Sequence, residues 1–185
     1  MSKNIVKIIK SLNRISNSID NINPETKSFE NKIFDESKYF IWNTDNKNFR
    51  PIFNVNRIDL QLLIGIDNAK NTLIENTLHF AKGFNANNVL LWGSRGMGKS
   101  SLVKAVHYKI NNEVNNDLFL IELDKNDLTS IPTLMAYLSN IEKRFIIFCD
   151  DLSFEDTNDN YKSLKTILEG GLEGKPNNII LRCIP

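Results

Sequence analysis

Short apolar runs alternate with stretches of helical periodicity over most of the chain. Four runs of five to seven residues are rich in branched and aromatic side chains, as in strands buried inside a sheet; they cover residues 88–92, 118–123, 145–149 and 178–184. Between them, apolar residues recur three or four positions apart, which predicts helices at 99–110, 131–138 and 161–168. Because a helix follows each strand before the next begins, the connections favour parallel strands with helices on both faces. The sequence therefore predicts an α/β fold of three layers around a parallel sheet.

Two further elements are predicted before the first of these strands. The aromatic run at residues 39–42 is typical of a strand that packs against the domain. Apolar residues at helical spacing predict one helix over residues 60–80.

The amino-terminal segment differs in pattern from the remainder. Residues 3–20 place isoleucine and leucine at helical spacing among lysine and arginine, which predicts an amphipathic helix that docks on the domain or on a sister subunit. No acidic residue comes before Asp20, so a transit peptide is the alternative interpretation. The polar residues that follow indicate a linker. We therefore divide the chain into an amphipathic helix with linker, 1–36, and a globular domain, 37–185.

Composition narrows the class of protein. Apolar residues make up 41% and charged residues 24% of the 185 positions, as in an ordinary soluble domain. The formal net charge of +1 gives no clear indication that the protein binds nucleic acid. No apolar stretch approaches the roughly 20 residues that a membrane helix needs. Cys149 and Cys183 have no spacing typical of a disulfide framework or a zinc site. A cytoplasmic protein without a membrane partner is predicted.

The strongest chemical signal lies between the strand at 88–92 and the helix that begins near residue 99. Its pattern is G-x-x-x-x-G-K-S, in which glycines let backbone N–H groups surround a phosphate at the positive end of a helix. Lys99 is expected to reach the β- and γ-phosphates, and the Ser100 hydroxyl is expected to ligate Mg²⁺. Ser101 follows the motif and is counted with the nucleotide contacts. The motif consists of Gly93, Ser94, Arg95, Gly96, Met97, Gly98, Lys99 and Ser100.

A second element must hold the metal from the opposite side. The strand at 145–149 ends in Asp150 and Asp151, about 50 residues after the loop, and a carboxylate in this place is expected in phosphate-loop proteins. Asp150 is expected to meet Mg²⁺ through a water, and Asp151 to orient or deprotonate the attacking water. The alternative is that the pair caps the following helix. Residues 124–127 resemble a guanine-reading element, but they precede the metal-binding strand and begin with Asp, so ATP is favoured over GTP.

With these residues identified, the chain resembles the AAA+ superfamily of P-loop ATPases. It is similar, over about residues 39–180, to an uncharacterised bacterial AAA+ family of predicted ATP-binding proteins. The resemblance implies ATP as the nucleotide and a tendency to form rings, hence a homo-oligomer if the chain is intact. It also implies that Ile64 and Gly65 line the adenine pocket. Besides the loop and the acid pair, the similar blocks are residues 62–67, 87–93, 148–155 and 168–173.

The sequence departs from the AAA+ pattern in two places. The usual acid pair is Asp-Glu, whereas this chain has Asp150-Asp151, which is one methylene shorter at the water-activating position. The polar sensor residue, the arginine finger, the last strand and the helical lid are absent from the sequence after residue 180. We therefore expect a carboxyl-terminally truncated AAA+-like domain, with a one-base frameshift at Leu181 as the suggested cause. Reading the gene in the neighbouring frame would test this.

Two classes of function remain open. The leading hypothesis is an ATPase in which Lys99, Ser100 and Asp150 bind Mg·ATP and Asp151 promotes hydrolysis. The alternative is a nucleotide-dependent interaction module, or a truncated remnant, that binds ATP without appreciable turnover. An ATPase assay beside a binding measurement separates the two. A small-molecule kinase would need an acceptor site, of which the sequence has no sign.

Overall fold

The computed structural model describes residues 32–114, 118–152 and 175–185. The chain separates into two compact units, Met1–Glu36 and Ser37–Pro185, and the sheet with its helices belongs to the second. The helices predicted at 3–20 and 161–168 lie outside the described residues. None of the described helices is long and apolar enough to cross a membrane.

The second unit contains strands, α-helices and two short 3-10 helices. The 3-10 helices are Leu60–Leu62 and Lys125–Ser130. The α-helices are α1 (Asp67–Ala81), α2 (Lys99–Val114) and α3 (Ile131–Leu138). The strands are β1 (Tyr39–Asn43), β2 (Asn48–Pro51), β3 (Val89–Leu90), β4 (Leu118–Leu123), β5 (Arg144–Cys149) and β6 (Ile179–Cys183).

The six strands form one mixed sheet in the order β2-β1-β4-β5-β6-β3. Four neighbouring pairs are parallel, which confirms the predicted crossover connections. β2, a strand that the sequence did not predict, runs antiparallel to β1 at the edge of this mostly parallel sheet. A tight turn joins the two strands, in which the Asn43 side chain accepts a hydrogen bond from Asn46 N at 3.0 Å. The aromatic strand predicted at 39–42 is thus part of the sheet, where it pairs with β4.

Helices cover both faces of the sheet and give the predicted three layers. Alternate residues of β4, β5 and β6 face α1 and α2, as the two-residue period of a strand requires. The opposite face is covered by α3, whose Ile131, Leu134 and Leu138 are fully buried. Asn178 ties the end of α3 to the start of β6, because its Nδ2 donates to Leu138 O at 2.9 Å and to Ile141 O at 3.0 Å.

The helix predicted over 60–80 is shorter in the structure. Leu60–Leu62 forms a separate 3-10 turn capped by the Asp59 carboxylate, which accepts from Gln61 N at 3.0 Å. Gly65 then adopts φ +81°, a left-handed conformation that an α-helix does not contain, and α1 begins only at Asp67. The segment between the two helices is therefore free to approach the loop before α2.

Two polar side chains are buried on the face that carries α1 and α2. The His107 imidazole lies in α2, with Nε2 3.0 Å from the carbonyl oxygen of Leu118. Arg182 lies in β6, and its hydrogen bonds to described residues go to neutral groups, among them Asn76 Oδ1 at 2.5 Å and the carbonyl oxygen of Asn87 at 3.2 Å. Burial lowers the pKa of the Arg182 guanidinium to about 9. Arg182 thus joins β6 to α1 and to the segment before β3.

Residues 181–183, which belong to the tail expected to arise from a frameshift, complete β6 in register with β5. Cys183 lies opposite Cys149 in this register, and both are buried free thiols. The sequence alone had no means of pairing these two cysteines, because the register between β5 and β6 depends on residues far apart in the chain.

Candidate phosphate-binding site

The predicted phosphate loop connects β3 to α2 at the carboxyl end of the sheet. Gly96 and Gly98 have φ angles of +80° and +76°, which β-carbon-bearing residues adopt only at a cost. A Cβ on Gly98 would also lie 2.9 Å from Leu63 Cδ2, so Leu63 packs directly against the loop. The backbone then enters α2, where Leu102 N donates to Gly98 O at 2.8 Å. The loop therefore ends at the positive pole of a helix.

Lys99 closes the loop on itself. Its Nζ donates to the carbonyl oxygens of Gly93 at 2.6 Å and Ser94 at 3.0 Å. These two residues contribute carbonyl groups to the lysine and are not among the residues that line the adjoining cleft. The ammonium group is thereby fixed beside the first turn of α2.

The acid pair follows β5 without any intervening residue. The Asp151 N–H donates to Asp150 Oδ1 at 3.0 Å, and Asp151 adopts φ +54°, which is uncommon for a residue other than glycine. Ile184 holds both sides of the pair, because its N–H donates to Cys149 O and its carbonyl accepts from Leu152 N, each at 2.9 Å. The two carboxylates are thus held at the carboxyl ends of β5 and β6.

A single cleft of about 290 Å³ brings the loop and the acid pair together. The loop and the acid pair, which the sequence predicts separately, thus border the same space. The cleft could hold the phosphates of a nucleotide, because loop backbone and a helix amino-terminus form one wall and carboxylates the other. It is lined by Arg95, Gly96, Met97, Gly98, Lys99, Ser100, Ser101, Asp150, Asp151, Ile184 and Pro185.

The oxygen groups in this cleft suit a hard divalent cation. The Ser100 hydroxyl and the Asp150 carboxylate are ligands that Mg²⁺ accepts. Within residues 32–114, 118–152 and 175–185 no three His, Cys, Asp or Glu side chains cluster as metal ligands. A magnesium ion held here would therefore need phosphate oxygens and waters in addition to the protein groups, which fits a metal that enters with a nucleotide.

One contact across the cleft was not predicted. Arg95 Nη2 lies 2.6 Å from Asp151 Oδ1, and Lys125 Nζ lies 3.9 Å from the other oxygen of the same carboxylate. The sequence predicts Arg95 in the loop and Asp151 beside the attacking water, but none of its patterns indicates a bond between these two side chains, which are 56 positions apart.

The residues predicted for the adenine pocket lie near the loop but outside this cleft. Ile64 is 86% exposed, and neither Ile64 nor Gly65 lines the space beside the acid pair. Their neighbour Leu63 contacts the loop at Gly98, so the segment is adjacent to the phosphate site. Its role toward a base stays a prediction.

Strand order and loop position together define the molecule as an α/β, three-layer P-loop NTPase fold. A family model described as "Protein of unknown function (DUF815)" matches residues 35–184. The chain belongs to the DUF815 family. A search among curated proteins gives no significant match.

One solved structure similar to this DUF815 protein is the Thermotoga maritima RuvB Holliday junction branch migration motor. The two share 20% sequence identity with a TM-score of 0.40, over 68% of this chain and 40% of the RuvB chain. The DUF815 chain thus corresponds to less than half of that protein. At this identity and TM-score the similarity does not transfer an activity or a substrate.

Proposed function

We propose that this protein binds Mg·ATP in the cleft between the phosphate loop and the acid pair, and hydrolyses it as an AAA+-like ATPase. The proposal rests on one observation: the loop residues 95–101 and the carboxylates of Asp150 and Asp151 line the same space. A glycine-rich turn without a function would not need two acids in the turn after β5, on the other side of the cleft.

The loop side of the cleft would bind the triphosphate. Backbone N–H groups of the loop and the amino-terminus of α2 attract its negative charge. Lys99 already lies at this wall, where its ammonium group donates to two carbonyl oxygens of the loop. A phosphate oxygen would give it a charge-assisted hydrogen bond, which is stronger than a bond to a neutral carbonyl.

The β5 side of the cleft would hold the metal and the water. A bound Mg²⁺ would neutralise charge on the phosphates, and Ser100 and Asp150 are the residues that would hold it. Asp151 is the adjacent carboxylate and would orient the attacking water as a general base. Its position directly after the metal-binding acid supports this division of roles.

ATP is proposed over GTP, with Ile64 and Gly65 beside the adenine. The residues that resemble a guanine-reading element are engaged elsewhere, since Asp124 caps a 3-10 helix and accepts from Asn126 N at 2.9 Å. A cytoplasmic location is part of the proposal and is supported by the two free cysteines. Assembly into a homo-oligomeric ring is supported by the sequence resemblance alone.

Replacement of Lys99 by alanine tests the proposal. We expect Lys99→Ala to weaken binding of a fluorescent ATP analogue in the presence of Mg²⁺ by at least about tenfold, because charged hydrogen bonds contribute roughly 1.5–3 kcal/mol each. Lys109→Ala is the matched control, since Lys109 lies in the same helix and pairs with Glu113, away from the cleft. Equal affinities in the two variants would refute the phosphate site.

Release of inorganic phosphate, measured on the same preparation, separates an ATPase from a binding module. Turnover that disappears in Asp151→Asn while ATP still binds would support the assigned general base. ATP binding without measurable turnover in the unmodified chain would instead support the module.

A further inference from the structure

Arg95 and Asp151 form an ion pair across the mouth of the proposed nucleotide cleft. The guanidinium belongs to the phosphate loop, and the carboxylate belongs to the turn after β5. Both side chains line the cleft, so any triphosphate in that space would lie beside the pair. The ion pair thereby links the phosphate loop to the turn that carries the acids.

This ion pair contributes little to the stability of the fold. The side chains of Arg95 and Asp151 are 88% and 56% exposed, and ion pairs in such positions are weakened by solvent and contribute little. The acid turn is held independently, by the Ile184 backbone and by the hydrogen bond from Asp151 N to Asp150. The bond can therefore break without unfolding its surroundings.

A bound phosphate would compete with Asp151 for the same guanidinium. Arginine binds phosphate through two parallel charge-assisted hydrogen bonds, whereas Asp151 offers Arg95 one oxygen at 2.6 Å. A triphosphate also brings more negative charge into the cleft than a single carboxylate holds. The exchange of partner is thus favourable once the terminal phosphate lies beside the loop.

We propose that Arg95 is a positioning residue that couples the presence of the terminal phosphate to Asp151. Without nucleotide it holds the Asp151 carboxylate; with ATP bound it transfers to the terminal phosphate and releases that carboxylate toward the water. This inference rests on the proposed function, and it adds a specificity for ATP over ADP that resides in one side chain.

The test is a double-mutant cycle on nucleotide affinity, measured with fluorescent ATP and ADP analogues in Mg²⁺. Arg95→Ala should weaken ATP binding about tenfold and ADP binding less than about twofold, because only ATP supplies the new partner. Asp151→Asn should strengthen ATP binding by up to about fivefold, since it frees the guanidinium from a competing ion pair. In the Arg95→Ala background, Asp151→Asn should leave ATP affinity unchanged.

Lys125→Ala is the matched control, because Lys125 also lies near the Asp151 carboxylate but does not line the cleft. Its ratio of ATP to ADP affinity should equal that of the unmodified protein. Melting temperatures without nucleotide should agree among the Arg95→Ala, Lys125→Ala and unmodified proteins, since the two side chains are 88% and 48% exposed.

The outcomes separate this inference from the proposed function. Failure of the unmodified protein to bind either nucleotide would refute both. ATP binding with an affinity ratio that Arg95→Ala leaves unchanged would refute the inference alone. An effect of Asp151→Asn that is the same with and without Arg95 would also overturn it, because the two residues would then act independently.

Discussion

At the level of single residues, the cleft and the core hold their polar groups in opposite environments. Arg95 and Asp151 are exposed and can exchange partners, whereas His107 is fully buried and has one fixed partner. Its Nε2 contacts Leu118 O, and no partner for Nδ1 lies among the residues that the structure describes. The edge of the Tyr39 ring packs on the imidazole with centroids 4.7 Å apart. A proton added to this ring would place a positive charge in a fully buried site, and no acid lies beside the ring among the described contacts.

His107 should make the protein less stable in mild acid. Burial, which is the main cause, and the charge of Lys38 together lower the pKa of its imidazole from 6.5 to about 4 in the folded chain, although the hydrogen bond to Leu118 acts in the opposite direction. Between these two values the unfolded chain binds more protons, so the free energy of unfolding falls as the pH decreases. A shift of this size corresponds to about 3 kcal/mol by pH 4. Urea denaturation at several pH values would measure it.

His107→Gln is the control for this prediction, because glutamine can donate to the Leu118 carbonyl but does not titrate. Its free energy of unfolding should depend less on pH between 6.5 and 4 than that of the unmodified protein. The same slope in both proteins would show that other groups determine the acid sensitivity.

At the level of elements, the bounds predicted from the sequence agree best with the structure where a segment is deeply buried. β4 and α3 have the bounds predicted for them, because nearly every residue of β4 is buried and α3 has apolar residues at helical spacing. β2 was missed, since Phe49 is its single buried residue. The predicted helix at 60–80 failed at Gly65, whose φ angle depends on the path of the chain and is not visible in the spacing of apolar residues.

The candidate site divides in the same way. The phosphate loop and Asp150-Asp151 could be predicted because each follows a strand of clear apolar pattern. Their common cleft required the order of β3, β6 and β5 in the sheet. The bond between Arg95 and Asp151 requires atomic positions, and no pattern of residue types carries that information.

Alanine at Gly98 should damage the loop more than alanine at Gly65. Both residues have positive φ angles, so each substitution costs about 1–2 kcal/mol in backbone conformation. A Cβ at Gly98 also meets Leu63, which belongs to the buried core, and overpacking adds roughly 1 kcal/mol or more. A Cβ at Gly65 meets nothing within 4 Å. Urea denaturation without nucleotide compares the two variants, and an equal loss of stability would contradict close packing of Leu63 on the loop.

At the level of the whole molecule, the two edges of the sheet differ in character. The β2 edge carries Asn48, Arg50 and Pro51, which are polar, charged or unable to donate a hydrogen bond. β3 pairs with β6 alone among the strands in the described ranges, and its residues Val89 and Leu90 are apolar. Unprotected apolar edges promote pairing with other chains. The phosphate loop is thus attached to the less protected edge.

A charge at Leu90 should therefore reduce self-association. Leu90 is 38% exposed, so lysine can reach solvent there without entering the core. We expect Leu90→Lys to lower the light scattering of concentrated or warmed samples relative to the unmodified protein. Asn48→Lys, at the edge that is already polar, should change scattering little. Equal scattering by all three proteins would show that the β3 edge does not govern association.

The backbone of Ile184 has a mechanical consequence for the acid pair. This residue holds the chain on both sides of Asp150 and Asp151, through Cys149 O and Leu152 N. The backbone of one residue therefore fixes both ends of the turn. Tension on the chain near Ile184 would load these two hydrogen bonds and so act on the turn that carries the carboxylates. Force on this part of the chain would thus change the orientation of the Asp150 and Asp151 carboxylates in the cleft.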